Sequence, residues 1–351
     1  LDMEVSMRKL NTSLIILLIS AAVVLNTFAK TEPRLVIDLP RWSGYDIALH
    51  PDGKIVASAS LADIIHTFNI ETGEMITELE GHEKGVESVA YSPKGNILVS
   101  GDQSGFNKIW DVETNEIIKE LDKHAWVIKD IEFSRDGSIL ATGDWGWGQT
   151  LRLWNPETGK LLHGIQAGKV DDISFSFDGK VIASGVLDTG LVQLWDTETG
   201  ELLQTLETEM EHVFAVAFFG AERMLVVGGT GGMQTWDGET GERVKTFNLP
   251  GNDKEIRTVA VNPDQKMLAS GGNDSMVHLW DLKTLKVVDT LDLHFGRMHT
   301  VTFSSDGLTL ATSANDSLLG IWDIEPLGPI ILFSVNPKDK TTVLWGHLKQ
   351  R

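Results

Sequence analysis

The residue types that carry out chemistry are present in this chain, but not at the spacings that chemistry needs. Ten histidines are dispersed along 351 residues. His82-Glu83 begins like a zinc-protease motif, yet no second histidine follows four residues later. There is no Gly-rich phosphate loop ending in Lys-Ser/Thr, no Gly-x-Ser-x-Gly elbow and no Asp-rich calcium loop. Cysteine is absent, which excludes disulfides, thiol nucleophiles, thiolate-bound metals and the acylated cysteine of a lipoprotein. The expectation is a protein with no catalytic residue, no bound metal and no cofactor. What the chain has in excess is tryptophan, with 11 copies, and tryptophan is the side chain most enriched at the energetic centres of interfaces.

Six of these rings sit in near-identical strings, KIWDVET, RLWNPETGK, QLWDTETGE, QTWDGETGE, HLWDLKT and GIWDIEP, at Trp110, Trp154, Trp195, Trp236, Trp280 and Trp322. Their spacings are 44, 41, 41, 44 and 42 residues, and Phe68 in HTFNIETGE lies 42 residues before the first. Seven units therefore tile roughly residues 34 to 323. Within each, four short strands alternate with turn signals, as in Met75 to Glu80, Val86 to Tyr91, Asn96 to Ser100 and Phe106 to Trp110. Ser92-Pro93-Lys94-Gly95 supplies the turn after the second of these, and Glu-Thr-Gly or a variant the turn after the fourth. A four-stranded unit cannot bury both of its faces alone, so neighbouring units must stack. A closed ring does this, which gives an all-β, seven-bladed β-propeller of four-stranded antiparallel blades.

These residues resemble the WD40 repeat family over nearly the whole repeat region. The resemblance implies a hydrogen-bonded set inside each blade: a His before the first strand, a Ser or Thr in the second, an Asp in the next loop and the Trp of the third. His294, Thr312, Asp316 and Trp322 complete it in the last unit. Other units fill it in part: Ser270, Asp274 and Trp280 with Asn252 in the His place; Ser184, Asp188 and Trp195 with Gln166; His82, Ser100 and Trp110 without an evident aspartate. The fifth unit has neither His nor Asp. Partly filled polar sets stabilise less than complete ones, so blades two to six are expected to lean on apolar packing. The resemblance also implies that an N-terminal strand, Arg34 to Leu39, completes the last blade. Ile330 to Ser334 is its local rival, and residues 324 to 351 form a tail.

Five tryptophans fall outside the repeat: Trp42, Trp126, Trp145, Trp147 and Trp345. With a blade counted from the strand equivalent to Val86 to Tyr91, the loop before its first strand and the loop after its second share one face of the ring. Trp42 and Trp126 lie in the former. Trp145 and Trp147 lie in the latter, within Gly143-Asp144-Trp145-Gly146-Trp147-Gly148, a loop about two residues longer than its counterparts. Loops on a rigid scaffold carry binding functions, and large exposed apolar patches are rare without a use. Trp42, Trp126, Trp145 and Trp147 are therefore the candidate binding residues. The opposing reading is that the rings plug the channel mouth or cover the loop's own glycines. The acidic runs Asp171-Asp172 and Glu207 to Glu211 are expected to be solvated.

With 50 acidic and 30 basic residues the net charge is -20, which repels phosphate backbones and argues against nucleic acid as a partner. The N-terminus reads as a secretory signal peptide over residues 1 to 29. Met7-Arg8-Lys9 is basic, Leu14 to Leu25 is apolar, and small residues at Thr27 and Ala29 suit cleavage after Ala29. Met7 is the expected start, and the mature chain carries no membrane span. An uncleaved N-terminal anchor is the alternative. Together these point to a periplasmic or secreted, non-catalytic scaffold that binds a protein or peptide through the tryptophan-bearing face. The alternatives are a propeller enzyme, either a hydrolase or a quinone-dependent oxidoreductase, and a carbohydrate or cell-wall binder. A mouth pocket with converging Asp, His and Arg would favour the enzyme, and a shallow aromatic surface the adaptor. The fold by itself does not choose.

Overall fold

The computed structural model describes residues 32–220, 223–247 and 255–325. They form seven four-stranded antiparallel sheets, with no helix among the described residues. The first blade runs from its inner strand Ser43–Leu49 through Ile55–Ser60 and Ile64–Asn69 to its outer strand Met75–Glu80. The following inner strands are Val86–Tyr91, Ile128–Phe133, Val170–Phe175, Val213–Phe219, Ile256–Val261 and Met298–Phe303, and each contacts the next around a closed ring.

Blade and sequence unit are offset by one strand, since Met75–Glu80, first in its unit, is the outer strand of the preceding blade. The same offset closes the ring. Leu35–Asp38 pairs antiparallel with Leu318–Asp323 as the fourth strand of the last blade, and Arg34 reaches Asp323 at 2.7 Å. The signal segment 1 to 29, Asn252, Ile330 to Ser334, Trp345 and most of the tail lie outside the described residues.

Position in the blade explains composition. A second strand such as Val181–Val186 is buried at every residue, so it reads as a run of small and apolar side chains without alternation. The Asp that follows most of the repeat tryptophans shapes the turn to the outer strand. Asp111 Oδ1 accepts hydrogen bonds from the Glu113 and Thr114 N–H groups at 3.0 and 2.8 Å, and Asp196 and Asp237 repeat this. Apolar clusters fill the space between neighbouring blades. Val99 and Ile109 of the second blade pack against Ile128, Ile131, Phe133, Leu140 and Trp154 of the third. Glycine permits the closest approach: a Cβ at Gly101 would stand 2.4 Å from Ile128 Cγ2, and one at Gly143 2.6 Å from Val170 Cγ1.

The polar sets are more complete than the sequence suggests. His294 Nε2 meets Thr312 Oγ1 at 2.9 Å, its Nδ1 meets Asp316 at 3.0 Å, and Trp322 Nε1 donates to Thr312. The second blade has its aspartate after all, in Asp102, which lies 2.8 Å from His82 Nδ1 while His82 Nε2 bonds Ser100. His124, Thr142, Asp144 and Trp154 do the same in the third blade. Blades two and three are thus pinned by polar sets as well as by packing. In the fourth blade Asp188 pairs with Lys169 instead, and in the sixth Asp274 pairs with His278, leaving only the Ser–Trp bonds. In the fifth, Gln234 accepts from Trp236 Nε1.

Candidate functional site

The site is built by a backbone irregularity repeated around the ring. Near the start of six inner strands the pairing register shifts by one residue, between Val86/Ser88, Ile128/Asp130, Val170/Asp172, Val213/Ala215, Ile256/Thr258 and Met298/Thr300. The first inner strand is irregular between Ser43 and Ile47. An extra residue breaks the alternation of a strand, so two consecutive side chains can face the same way. Both members of Tyr45-Asp46, Lys129-Asp130, Asp171-Asp172 and Arg257-Thr258 accordingly line the channel mouth. This corrects the expectation for Asp171 and Asp172, which are channel residues and not freely solvated ones. Glu207, Glu209 and Glu211 are exposed as expected.

The outer layer of the mouth is a rim of mixed charge and aromatic character around a cavity of about 210 Å³. Lys129 Nζ reaches Glu87 at 2.7 Å and lies 4.4 Å from the centre of the Trp145 ring. Trp145 Nε1 donates to Asp171 at 2.7 Å. Arg257 stacks on Phe214 at 3.7 Å and pairs with Glu255. His299 stacks on Tyr45 with ring centres 4.7 Å apart. Burial, reinforced by Arg297 and Lys129, pushes His299 down to about 4, so the imidazole is neutral at physiological pH.

One layer deeper, carboxyls hold the blades together. The channel-facing edge of an inner strand presents N–H groups that no strand can pair, and in blades two, four, five and seven the preceding blade supplies acceptors for them. Asp46 accepts from Val89 N–H at 2.9 Å and from Ser88 and Thr300 hydroxyls at 3.1 and 2.9 Å, joining blades seven, one and two. Asp130 accepts from Ile173 N–H at 2.8 Å, Asp172 from Val216 at 2.6 Å and Glu132 from Phe175 at 2.8 Å. Desolvation raises all four carboxyls, Asp130 to about 6; the charge of Asp130 raises Asp172 and Glu132 further, while Asp130 is raised by Asp46 and lowered by its hydrogen bond with Asp172. These residues line or border a wider channel of about 510 Å³.

The sequence-predicted tryptophans lie on the face where the inner strands begin, and only Trp145 lines the mouth. Trp42, Trp126 and Trp147 are 57, 54 and 74% exposed, whereas Trp145 is half-buried in the rim. Trp42 also holds a positive φ of 70°, a conformation a bulky side chain adopts only when its surroundings impose it. Trp126 covers Gly146, where a Cβ would stand 2.4 Å from its ring. Trp147 overhangs a second cavity of about 290 Å³ with Gln166, Val186, Leu191 and Gln193, and the Oε1 of Gln193 is buried without a partner. Sequence reading missed the rim residues Lys129, Asp171, Phe214, Arg257 and His299. It also missed Phe295, 87% exposed on the same face in the loop before the last inner strand.

The sequence signature described as "WD domain, G-beta repeat" matches residues 73–111, 115–155, 159–196, 241–281 and 285–323, together more than half of the chain. The chain belongs to the WD40 repeat family. The unmatched gaps before residue 73 and between 196 and 241 hold the Phe68 unit and the unit whose polar set is reduced to Gln234. Among curated proteins, the general transcriptional corepressor TUP1 of Saccharomyces cerevisiae is 39% identical over 49 residues, 14% of this chain and 7% of that protein. WD40 propellers are typically scaffolds for protein interaction.

Proposed function

We propose that this WD40 propeller is a non-catalytic platform that binds a protein or peptide through the face carrying Trp42, Trp126 and Trp147. The observation that supports this most directly is the exposure of those three rings, together with Phe295, on the face of the ring where the inner strands begin. Trp126 and Trp147 belong to the third blade and Trp42 and Phe295 to the junctions around the seventh, so exposed rings are carried by two separate parts of that face. Exposed aromatic surface of this kind is costly in water and is recovered on docking. The net charge of -20 supports a partner other than nucleic acid. The basic, apolar and small-residue layout of positions 7 to 29 supports export, with the platform acting in the periplasm or outside the cell. A mass spectrum of the native protein starting at Lys30 is the expected result, and a cytosolic chain retaining Met7 removes the export reading.

The test of the binding face is recovery of partners by the wild type and by a Trp126→Ala, Trp147→Ala variant. Both are expected to melt within a few degrees of each other, because the rings are at the surface. The variant is expected to lose partners, at roughly 2 kcal/mol or more per hot-spot ring. Unchanged capture moves the site elsewhere. One observation favours the second reading, an enzyme: Asp171, Arg257, Arg297 and His299 converge at the mouth. Against it, the hydroxyls of Thr258 and Thr300 are engaged in hydrogen bonds between blades. Hydrolysis of a generic ester or phosphoester that is lost in His299→Gln would bring the enzyme forward.

A further inference from the structure

The mouth cavity is asymmetric in charge. On the side formed by blades six and seven, Arg257 is desolvated, is paired with Glu255 and feels the repulsion of nearby Arg297. Arg257 Nε and His299 Nε2 are buried there with no hydrogen-bond partner, while Arg297 stands exposed at the cavity edge. The imidazole of His299 experiences a positive surrounding, since Arg297 and Lys129 both weigh against its protonation and outrank the opposing Glu87. On the opposite side of the rim Lys129 is already paired with Glu87, and Asp171 accepts from the Trp145 indole.

Two guanidiniums, an Arg257 Nε–H that the pairing with Glu255 leaves unengaged and a neutral imidazole face one cavity, where a further anion would accept the remaining donors. We propose that the blade six and seven side of the mouth receives a carboxylate of the bound peptide, seated between Arg257 and Arg297 above His299. The floor fixes how deep it goes. Asp46, Asp130 and Asp172 line the next layer and repel a carboxylate, so the group stops at the rim while the rest of the peptide lies across the exposed tryptophans. This inference rests on the proposed binding face and names the chemistry it selects. An acidic side chain and a free C-terminus offer the same group.

The experiment uses fluorescence anisotropy with four labelled pentapeptides: Gly-Glu-Gly-Glu-Gly and Gly-Gln-Gly-Gln-Gly, each with a free and an amidated C-terminus. Carboxylate-bearing peptides are expected to bind at least tenfold more tightly than the amidated Gln peptide. Preference for the amidated Glu peptide over the free Gln peptide assigns the group to a side chain, and the reverse assigns it to the terminus. Arg297→Gln, at an exposed position, is expected to remove that preference without changing the melting temperature. Arg257→Lys, which keeps charge but loses the fork, is expected to weaken binding several-fold. Equal binding of all four peptides, no binding by any, or an unchanged preference in Arg297→Gln overturns the proposal. If the peptides fail while partner capture still depends on Trp126 and Trp147, the face stands and the carboxylate site falls. If capture ignores those tryptophans, the face itself is wrong.

Discussion

Ser100 Oγ in the second blade accepts from Trp110 Nε1 at 2.8 Å and meets His82 Nε2 at 2.6 Å, and His82 Nδ1 in turn donates to Asp102. The chain of donors fixes the imidazole tautomer, with Ser100 donating onto Nε2. Ser100→Ala orphans a buried indole N–H and a buried imidazole nitrogen together, which should cost about 2–4 kcal/mol. Ser184→Ala in the fourth blade orphans only Trp195 Nε1 and should cost about 1–2 kcal/mol. Urea unfolding of both variants checks the ranking, and equal losses would mean that the His–Asp part of the set contributes nothing. Desolvation works to raise Asp102, but hydrogen bonds from His82, Phe106 N–H and Ser104 outweigh it and hold the carboxyl below its usual range. Its share of stability is therefore present above the ordinary carboxylate pKa and is lost as pH falls through the lowered one. The tryptophans and histidines of these sets were legible in the sequence because they recur at a fixed period. Asp102 was not, because it stands 20 residues after its histidine whereas Asp316 stands 22 after His294.

At the level of strands and blades, the seven strand quartets could be read from turn residues and spacing. The bulges could not, because they are a property of pairing register and no residue type marks them. That is why Asp171-Asp172 looked like a solvated acidic pair, and why His299 and Arg257 were passed over. Two changes test the packing that the strands create. Gly101→Ala places a methyl against the Cβ of Ile128, 2.5 Å away, where no flexible end can swing aside. Overpacking of this kind should cost about 1–3 kcal/mol, and a melting temperature equal to wild type would show that the blade interface can dilate. Deleting residues 30 to 40 removes Leu35–Asp38 and exposes the hydrogen-bonding edge of Leu318–Asp323. The expected result is a lower melting temperature and concentration-dependent association by light scattering. An unchanged, monomeric deletion variant would mean that another segment closes the last blade.

On the scale of the whole ring, closure concentrates acidic groups where the seven inner strands meet. Asp46, Asp130, Asp172 and Glu132 are needed as acceptors for unpaired N–H groups, yet bringing them together in a desolvated channel raises the proton affinity of each. The native state therefore binds more protons than the unfolded chain between the ordinary Asp value of 3.8 and the value of about 6 for Asp130. By linkage, stability must fall as pH rises through that window. A shift of this size corresponds to about 2–3 kcal/mol between protonation states. Asn at position 172 keeps an oxygen for the Val216 N–H and adds a donor for Asp130, so Asp172→Asn should be more stable than wild type at pH 7.5. The expected gain is about 2–4 °C in Tm, with a shallower slope between pH 4 and 6. Asp172→Ala, which loses the acceptor as well as the charge, separates the two roles and should be less stable than Asp172→Asn at every pH. A wild-type Tm that does not change between pH 4 and 7, or an Asn variant that melts below wild type at pH 7.5, would show that the channel carboxylates are ionised and fully compensated by the rim cations Lys129, Arg257 and Arg297.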